Sequence, residues 1–451
     1  MRDEGNFKKR ESREGQYTYV IYSKEKEGKK LKKEDSRGNE IPVGIVTLDE
    51  DLPELEELAR SAGYDVLFEI IQKRNHPNSK TFVGKGKLEE VKETLAKRSV
   101  PVLLFNGELK PSQHYLLESE LGVECVDRIR LVLNIFSTRA SSRESQLQVL
   151  RAKLIYEIPL LREWIHNAKA GEHPGFLGGG AYETDAYYEL IRRQLSRIDG
   201  ELQKLDVNHS LRRQQRRKRG FSTVAIAGYT NAGKSSLLNA LTSEKVLVED
   251  RLFSTLATTT GRLEGENKPI LITDTIGFLG NLPHFLIESF KSTIDEVYFA
   301  DLVILVIDAS DSVDEVRRKI ETSRDILFPE VDASSIIIVL NKLDCADELP
   351  KKRALAAEIL PARDILATSV RTGNGIKILH DVISSTFQYP VEMRFRLPHG
   401  EGVEPFLSWL HSRTEVVQVK YDQEVEVHLF CQEKDHANIV NKIVSLGGQS
   451  V

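Results

Sequence analysis

The residues Gly228-Tyr-Thr-Asn-Ala-Gly233-Lys234-Ser235 set two glycines, a lysine and a hydroxyl at the spacing of a phosphate-binding loop. In such a loop, backbone N–H groups wrap a polyphosphate at a helix N-terminus, where unpaired donors and the helix dipole favour anions. Lys234 is expected to reach the β- and γ-phosphates and the Ser235 hydroxyl to bind Mg²⁺. Tyr229, Thr230, Asn231 and Ala232 complete the loop, and Ser236 follows it into the helix. A chance glycine-rich turn is the alternative, and companion motifs in the right order set it aside.

The first companion is the polar run Ser254-Thr-Leu-Ala-Thr-Thr-Thr260, in which one threonine completes the Mg²⁺ shell and senses the γ-phosphate. Thr259 is the expected ligand and Thr260 the runner-up; the register among Thr258, Thr259 and Thr260 stays open. Next, the apolar strand Pro269 to Thr273 ends in Asp274-Thr275-Ile276-Gly277, which brings a carboxylate near Mg²⁺ and a glycine N–H near the γ-phosphate. Lys234, Thr259 and Gly277 are thus the expected catalytic contacts, and Ser235, Thr259 and Asp274 the expected metal ligands.

The strand Ser335 to Leu340 ends in Asn341-Lys342-Leu343-Asp344. A carboxylate at the fourth position accepts from guanine N1–H and the 2-amino group, and adenine, lacking that pattern, leaves buried polar groups unpaired. The motif therefore selects GTP and GDP over adenine nucleotides. Ser369 and Val370, after a later strand, are expected to close over the base. Every motif falls at the carboxyl end of a strand, where open α/β sheets bind ligands.

Phe278 follows Gly277, where many GTPases carry a glutamine that orients the attacking water. Turnover is expected to be slow in isolation, with a partner, a cation or another residue completing the site. Asn231 stands where potassium-activated GTPases hold a monovalent cation, K⁺, against the phosphates; a loop-stabilising hydrogen bond is the other reading.

The elements that position these residues follow from patterning. At 451 residues the chain exceeds one core, with 40% apolar and 29% charged residues and a net charge of −5 that announces no polyanion as partner. Cys125, Cys345 and Cys431 lie far apart and form no metal or disulfide spacing, so buried thiols in a cytoplasmic protein are expected. No apolar run is long enough for a membrane span. Residues 1–40 read as a charged, disordered arm. Residues 41–137 alternate short apolar runs with helical segments, which implies βαβ units and a parallel sheet. There Phe82-Val-Gly84-Lys85-Gly86-Lys87 makes a glycine turn opening a helix, read as a tight turn in preference to an anion site.

Residues 138–206 carry two apolar stripes, Leu147, Leu150, Leu154, Ile158, Leu161 and Ile191, Leu195, Ile198, Leu202, Leu205, the signature of a helical hairpin. Its connector, Gly171 to Gly180, is expected to be a non-helical loop presented to a partner. Residues 207–220, with Arg212, Arg213, Arg216, Arg217, Lys218 and Arg219, read as a basic linker that is either solvated or in contact with RNA. Residues 221–390 form the nucleotide domain and 391–451 a small α+β domain. The whole is an α/β chain: a parallel-sheet N-terminal domain with a helical hairpin, a P-loop GTPase domain and a small C-terminal domain.

With these residues in view, the chain resembles the HflX family of ribosome-associated GTPases, within the translation-factor-related P-loop GTPases. The resemblance rests on Leu55-Glu-Glu-Leu-Ala with Ala62-Gly63, on Phe82 to Lys87, on Phe105-Asn-Gly-Glu-Leu109, on Val126-Asp127-Arg128 and on Ile135 to Ala140. Gln146-Leu-Gln148, the connector before Glu183-Thr184, Leu252 to Leu256 and Leu282-Pro283-His284 extend it. Two departures stand out: Gly180-Ala-Tyr-Glu183-Thr184 replaces a GPGET-like connector end, and Leu256-Ala-Thr-Thr-Thr260 replaces LDPTT. The resemblance implies a monomer that binds the large ribosomal subunit, with its N-terminal domain and loop directed at rRNA, and that splits, rescues or recycles ribosomes. A regulatory switch that recruits proteins is the alternative. An RNA-modification GTPase is a third, although the tail lacks the reactive C-terminal cysteine that reading predicts.

Overall fold

A computed structural model describes residues 40–48, 52–171, 179–243, 256, 258–265, 269–280, 283–387, 390–431 and 433–450. The expected arm, apart from Glu40, lies outside these residues, as do 172–178 of the connector and most of the threonine-bearing run before Thr258. No helix among the described residues is long and apolar enough to cross a membrane.

The N-terminal elements alternate as the patterning requires: β1 (Ile41–Thr47), α1 (Pro53–Ser61), β2 (Tyr64–Ile71), α2 (Lys85–Lys97), β3 (Val102–Phe105), α3 (Pro111–Leu121), β4 (Glu124–Asp127) and α4 (Arg128–Arg139). The four strands pair in parallel in the order β2-β1-β3-β4. Successive side chains point to opposite faces, so Val43, Ile45, Val102, Leu104 and Val126 pack towards α1 and α4. Val46, Ile70, Leu103, Phe105 and Cys125 pack on the other face with α2 and α3. Gly44 has no room for more than a hydrogen, since a Cβ there would stand 2.3 Å from the Phe68 ring.

Two long helices follow, α5 (Arg143–Gly171) and α6 (Gly179–Lys218), sharing a stripe of Leu147, Leu154, Ile191 and Ile198. Three expectations need correction here. Leu150 stands outside the stripe, exposed. Gly179 and Gly180, read as connector, open α6. The basic residues read as a linker, Arg219 excepted, lie in the last turns of α6, because a helix already anchored by its apolar stripe propagates through arginines and lysines, which are good helix formers.

The nucleotide domain comprises β5 (Ser222–Gly228), α7 (Lys234–Leu241), β6 (Thr259–Arg262), β7 (Ile270–Asp274), α8 (His284–Ser289), α9 (Lys291–Tyr298), β8 (Leu302–Asp308), α10 (Val313–Leu327), β9 (Ile336–Asn341), α11 (Leu349–Ile359), β10 (Asp364–Ala367) and α12 (Ile376–Phe387). Its sheet runs β10-β9-β8-β5-β7-β6, parallel except for β6. The order reverses around β5, which puts the phosphate loop at the switch point. The buried strands read as nearly continuous Val, Ile and Leu because both faces are covered. Last come β11 (Val391–Leu397), α13 (Val403–Arg413), β12 (Glu415–Tyr421), β13 (Val425–Cys431), α14 (Glu433–Ser445) and β14 (Gln449–Ser450), whose antiparallel sheet has the order β12-β13-β11-β14. Cys125 and Cys431 are buried as expected, but Cys345, in the turn after β9, is exposed.

Ile276, Leu279, Leu286 and Phe290, from the nucleotide domain, belong to the same apolar core as α1 and α4. Phe136 and Phe290 meet edge to face with centroids 4.9 Å apart.

Candidate nucleotide site

β5 delivers the chain to Gly228, whose φ of +138° and a would-be Cβ only 2.2 Å from Val306 O leave no alternative to glycine. Gly233, at φ +93°, caps α7, and a Cβ there would lie 2.3 Å from Asn341 Nδ2. Lys234 is buried, and its amine donates to Tyr229 O at 2.7 Å, folded back into the loop. Burial lowers the Lys234 pKa to about 8, against the opposing pull of Asp274. The β5–β7 register sets Ile226 beside Asp274. There Ser235 Oγ donates to Asp274 Oδ2 at 2.6 Å, which brings two of the three expected metal ligands together.

The third expected metal ligand is Thr259. Thr259 pairs directly opposite Asp274 across β6 and β7, and opposite residues of an antiparallel pair share a face. Thr260 takes the other face, with its hydroxyl 3.0 Å from that of Thr273. Gly277 lies over the phosphate lysine: a Cβ on it would stand 2.6 Å from Thr230 Cγ2 and 2.9 Å from Lys234 Nζ. Phe278 bridges to the loop, its N–H donating to Gly228 O at 2.9 Å and its carbonyl accepting from Thr230 N at 3.0 Å. The Phe278 ring is buried in one apolar cluster with Tyr229. The side chains of two further expected nucleotide contacts have partners within the protein. Thr275 gives its hydroxyl to Ile226 O at 2.7 Å, and the Ile276 side chain joins the core shared with the N-terminal domain.

At the base end, Asp344 accepts from Ser369 Oγ at 2.5 Å, and that hydroxyl, more than the nearby Arg371, holds its carboxyl below the ordinary range. Asn341 is bound within the protein at both ends of its amide. Its Nδ2 donates to Ala232 O at 2.9 Å and its Oδ1 accepts from Thr368 at 3.1 Å, so it is a strut between the phosphate loop and the strand β10 end. Lys342, in a left-handed turn at φ +62°, pairs with Asp308 at 2.6 Å. Val370 is half-buried against the α7 and α12 side of the sheet.

Sequence reasoning missed a set of charges that joins the N-terminal domain to this site. Glu57 of α1 accepts from Asn231 Nδ2 at 2.8 Å. One turn earlier, Glu54 meets Arg128 at 2.9 Å and Arg318 at 3.5 Å, and Arg128 Nη2 donates to Gly280 O at 3.4 Å. A glutamate on the polar face of an amphipathic helix carries no sequence mark of its partner, and only the acidic pair at three-residue spacing hinted at a shared face.

The helical hairpin grips the same domain. Ser292 donates to Glu144 at 2.5 Å and Gln148 donates to Ser292 at 2.7 Å. His209 lies 2.9 Å from Glu144, which holds its imidazole above the ordinary range. Within the basic run, Arg213 pairs with Glu296 at 3.3 Å and stacks over Phe299 at 4.6 Å. Arg212, Arg217, Lys218 and Arg219 remain exposed.

Three family models match in tandem: "GTP-binding GTPase N-terminal" over residues 49–137, "GTP-binding GTPase Middle Region" over 139–216 and "50S ribosome-binding GTPase" over 223–342. The chain is 38% identical over 413 residues to GTPase HflX of Thermococcus kodakarensis, covering 88% of this chain and 91% of that one. It is 35% identical over 402 residues to GTPase HflX of Methanocaldococcus jannaschii, covering 89% and 96%. A solved GTP-binding protein of Sulfolobus solfataricus in complex with GDP aligns at 24% identity and a TM-score of 0.44, over 77% of this chain and 99% of that one.

Proposed function

The chain belongs to the HflX family of GTPases, and from that membership we propose that GTP hydrolysis switches its grip on the large ribosomal subunit. The description of the matching nucleotide-domain model as a 50S ribosome-binding GTPase supports the choice of partner. The observation that carries the switch is the shared core. Ile276 and Leu279, next to the glycine that would meet the γ-phosphate, pack with α1 and α4, so a change of nucleotide reaches the N-terminal domain directly. The exposed part of the basic run offers cationic contact for rRNA.

In this reading the backbone from Gly228 to Ser236 and the Lys234 amine hold the phosphates, and Gly277 N–H meets the γ-phosphate. Asp344 reads guanine, with Ser369 orienting it and with Asn341, Lys342 and Val370 shaping the pocket. Ser235, Thr259 and Asp274 hold Mg²⁺. Their hard oxygen donors suit that ion, which needs few protein ligands when phosphates complete its shell; Ser235 Oγ and Asp274 Oδ2 are already 2.6 Å apart. Bound there, Mg²⁺ neutralises charge developing on the phosphates. Asn231 Oδ1 suits a monovalent cation, K⁺, which would add positive charge against the phosphates.

The test is GTP turnover with and without purified large subunits, in potassium and in sodium, with Lys234→Ala as the blank, together with co-sedimentation in GTP-analogue and GDP states. Subunit-stimulated turnover and nucleotide-dependent co-sedimentation are expected. If subunits neither bind nor change the rate, the ribosome reading fails and a protein-recruiting switch replaces it.

A further inference from the structure

Helix α1 has two occupations. Leu55, Leu58 and Ala59 are fully buried in the N-terminal core, while Glu54 and Glu57, one turn apart, reach the nucleotide domain. The Glu57–Asn231 bond spans 174 residues of sequence and ends in the middle of the phosphate loop. An ionised carboxylate only accepts hydrogen bonds, so Asn231 must present its NH₂ to Glu57. That fixes the rotation of the amide and directs Oδ1, its only cation-binding atom, away from α1. The left-handed backbone of Asn231, at φ +60°, fixes where the side chain starts. The Glu54 contacts to Arg128 and Arg318, and the Arg128 bond to Gly280 O, hold α1 in place against the loop.

We propose that Glu57 is a positioning residue for monovalent-cation use: by holding Asn231 Nδ2 it sets Oδ1 towards the phosphates, which makes the cation response depend on the docked N-terminal domain. This rests on the reading that Asn231 serves K⁺. Without an acceptor at position 57 the amide is free to turn over, and a hydrogen-bond donor facing a cation cannot ligate it.

The experiment measures affinity for a fluorescent non-hydrolysable GTP analogue in potassium and in sodium, with the half-activating potassium concentration for turnover alongside. The chains compared are wild type, Glu57→Ala, Glu57→Gln and Asn231→Ala. Wild type is expected to bind the analogue more tightly in potassium. Glu57→Ala should lose roughly three- to tenfold of that preference, the scale of one partly exposed charge-assisted bond. Glu57→Gln, which keeps an acceptor, should retain most of it. If Asn231→Ala loses the preference and Glu57→Ala keeps it, or if Glu57→Ala turns over faster in both salts, the positioning role is overturned while the cation reading stands. If wild type shows no preference for potassium, both fall.

Discussion

Two sheets in this chain, one parallel and one parallel but for β6, each send a glycine-bearing turn into the N-terminus of a helix, at 82–87 and at 228–235. Both helix starts have first-turn N–H groups without intrahelical acceptors, and both turns carry lysines. At the N-terminal turn, Gly84 has an ordinary φ of −70° and its N–H is taken by Gln72 Oε1 at 2.8 Å. Lys85 and Gly86 are exposed, and Lys87 pairs with Glu90. At the phosphate loop, Val306 O and Asn341 crowd the glycines, Gly277 closes on Thr230 and Lys234, and the lysine is drawn inside. The difference teaches that a helix N-terminus and a glycine do not make an anion site. Closure does, by pressing backbone and a desolvated amine round one small volume.

The largest expected effect separates the two lysines. Lys234→Ala should lower GTP turnover by about 10²–10³-fold or more, the scale of losing one preorganised electrostatic group, while Lys85→Ala should leave turnover and nucleotide affinity unchanged. A loss with Lys85→Ala would make the N-terminal turn part of the site and break the contrast. Next, Asp344→Asn should weaken GTP binding by about 10²-fold, because it leaves the guanine edge mispaired; titration with GDP and xanthosine diphosphate reads it. The glycines come third. Gly233→Ala forces a Cβ into Asn341 at a left-handed φ and should lower stability by about 1–3 kcal/mol. Gly84→Ala, at an ordinary φ and with Gln72 Nε2 at 3.2 Å, should cost less than about 1 kcal/mol. Denaturant midpoints of the two variants test the pair directly.

The smallest effect is in pH. Lys234 in the unliganded loop titrates at about 8, and phosphates raise that value, so binding takes up a proton above it. Between the free and bound values, nucleotide affinity should fall by about tenfold per pH unit as pH rises. Calorimetry in buffers of different ionisation enthalpy would count the proton. A flat affinity across this range would mean that the amine is already charged in the free loop.

The nucleotide motifs were legible because their chemistry constrains residue type locally: Gly228 and Gly233 must be glycine, and a carboxylate must stand at 344. The alternating strands and helices were legible for the same reason, since two-sided burial dictates apolar runs. What escaped were pairings across long sequence separation. Glu57 reads as an ordinary surface glutamate, and nothing in the motif around Asn341 announces that its amide ties Ala232 to Thr368. Leu150 fits the periodicity of its helix, yet faces solvent because α6 covers only one side of α5. The basic run looked like a tether because charge alone does not end a helix.

The core shared between the first domain and Ile276, Leu279, Leu286 and Phe290 also sets a timetable during synthesis. Phe136 leaves the ribosome before Phe290, which it meets edge to face, has been translated. At elongation rates of about 5–20 residues per second, a gap of roughly 150 residues lasts about eight to thirty seconds. For that interval the α4 surface is uncovered even though every strand of its own sheet is present. A nascent chain stalled before residue 256 should therefore be sticky and chaperone-dependent, whereas one extended past Phe290 has the means to bury that surface itself.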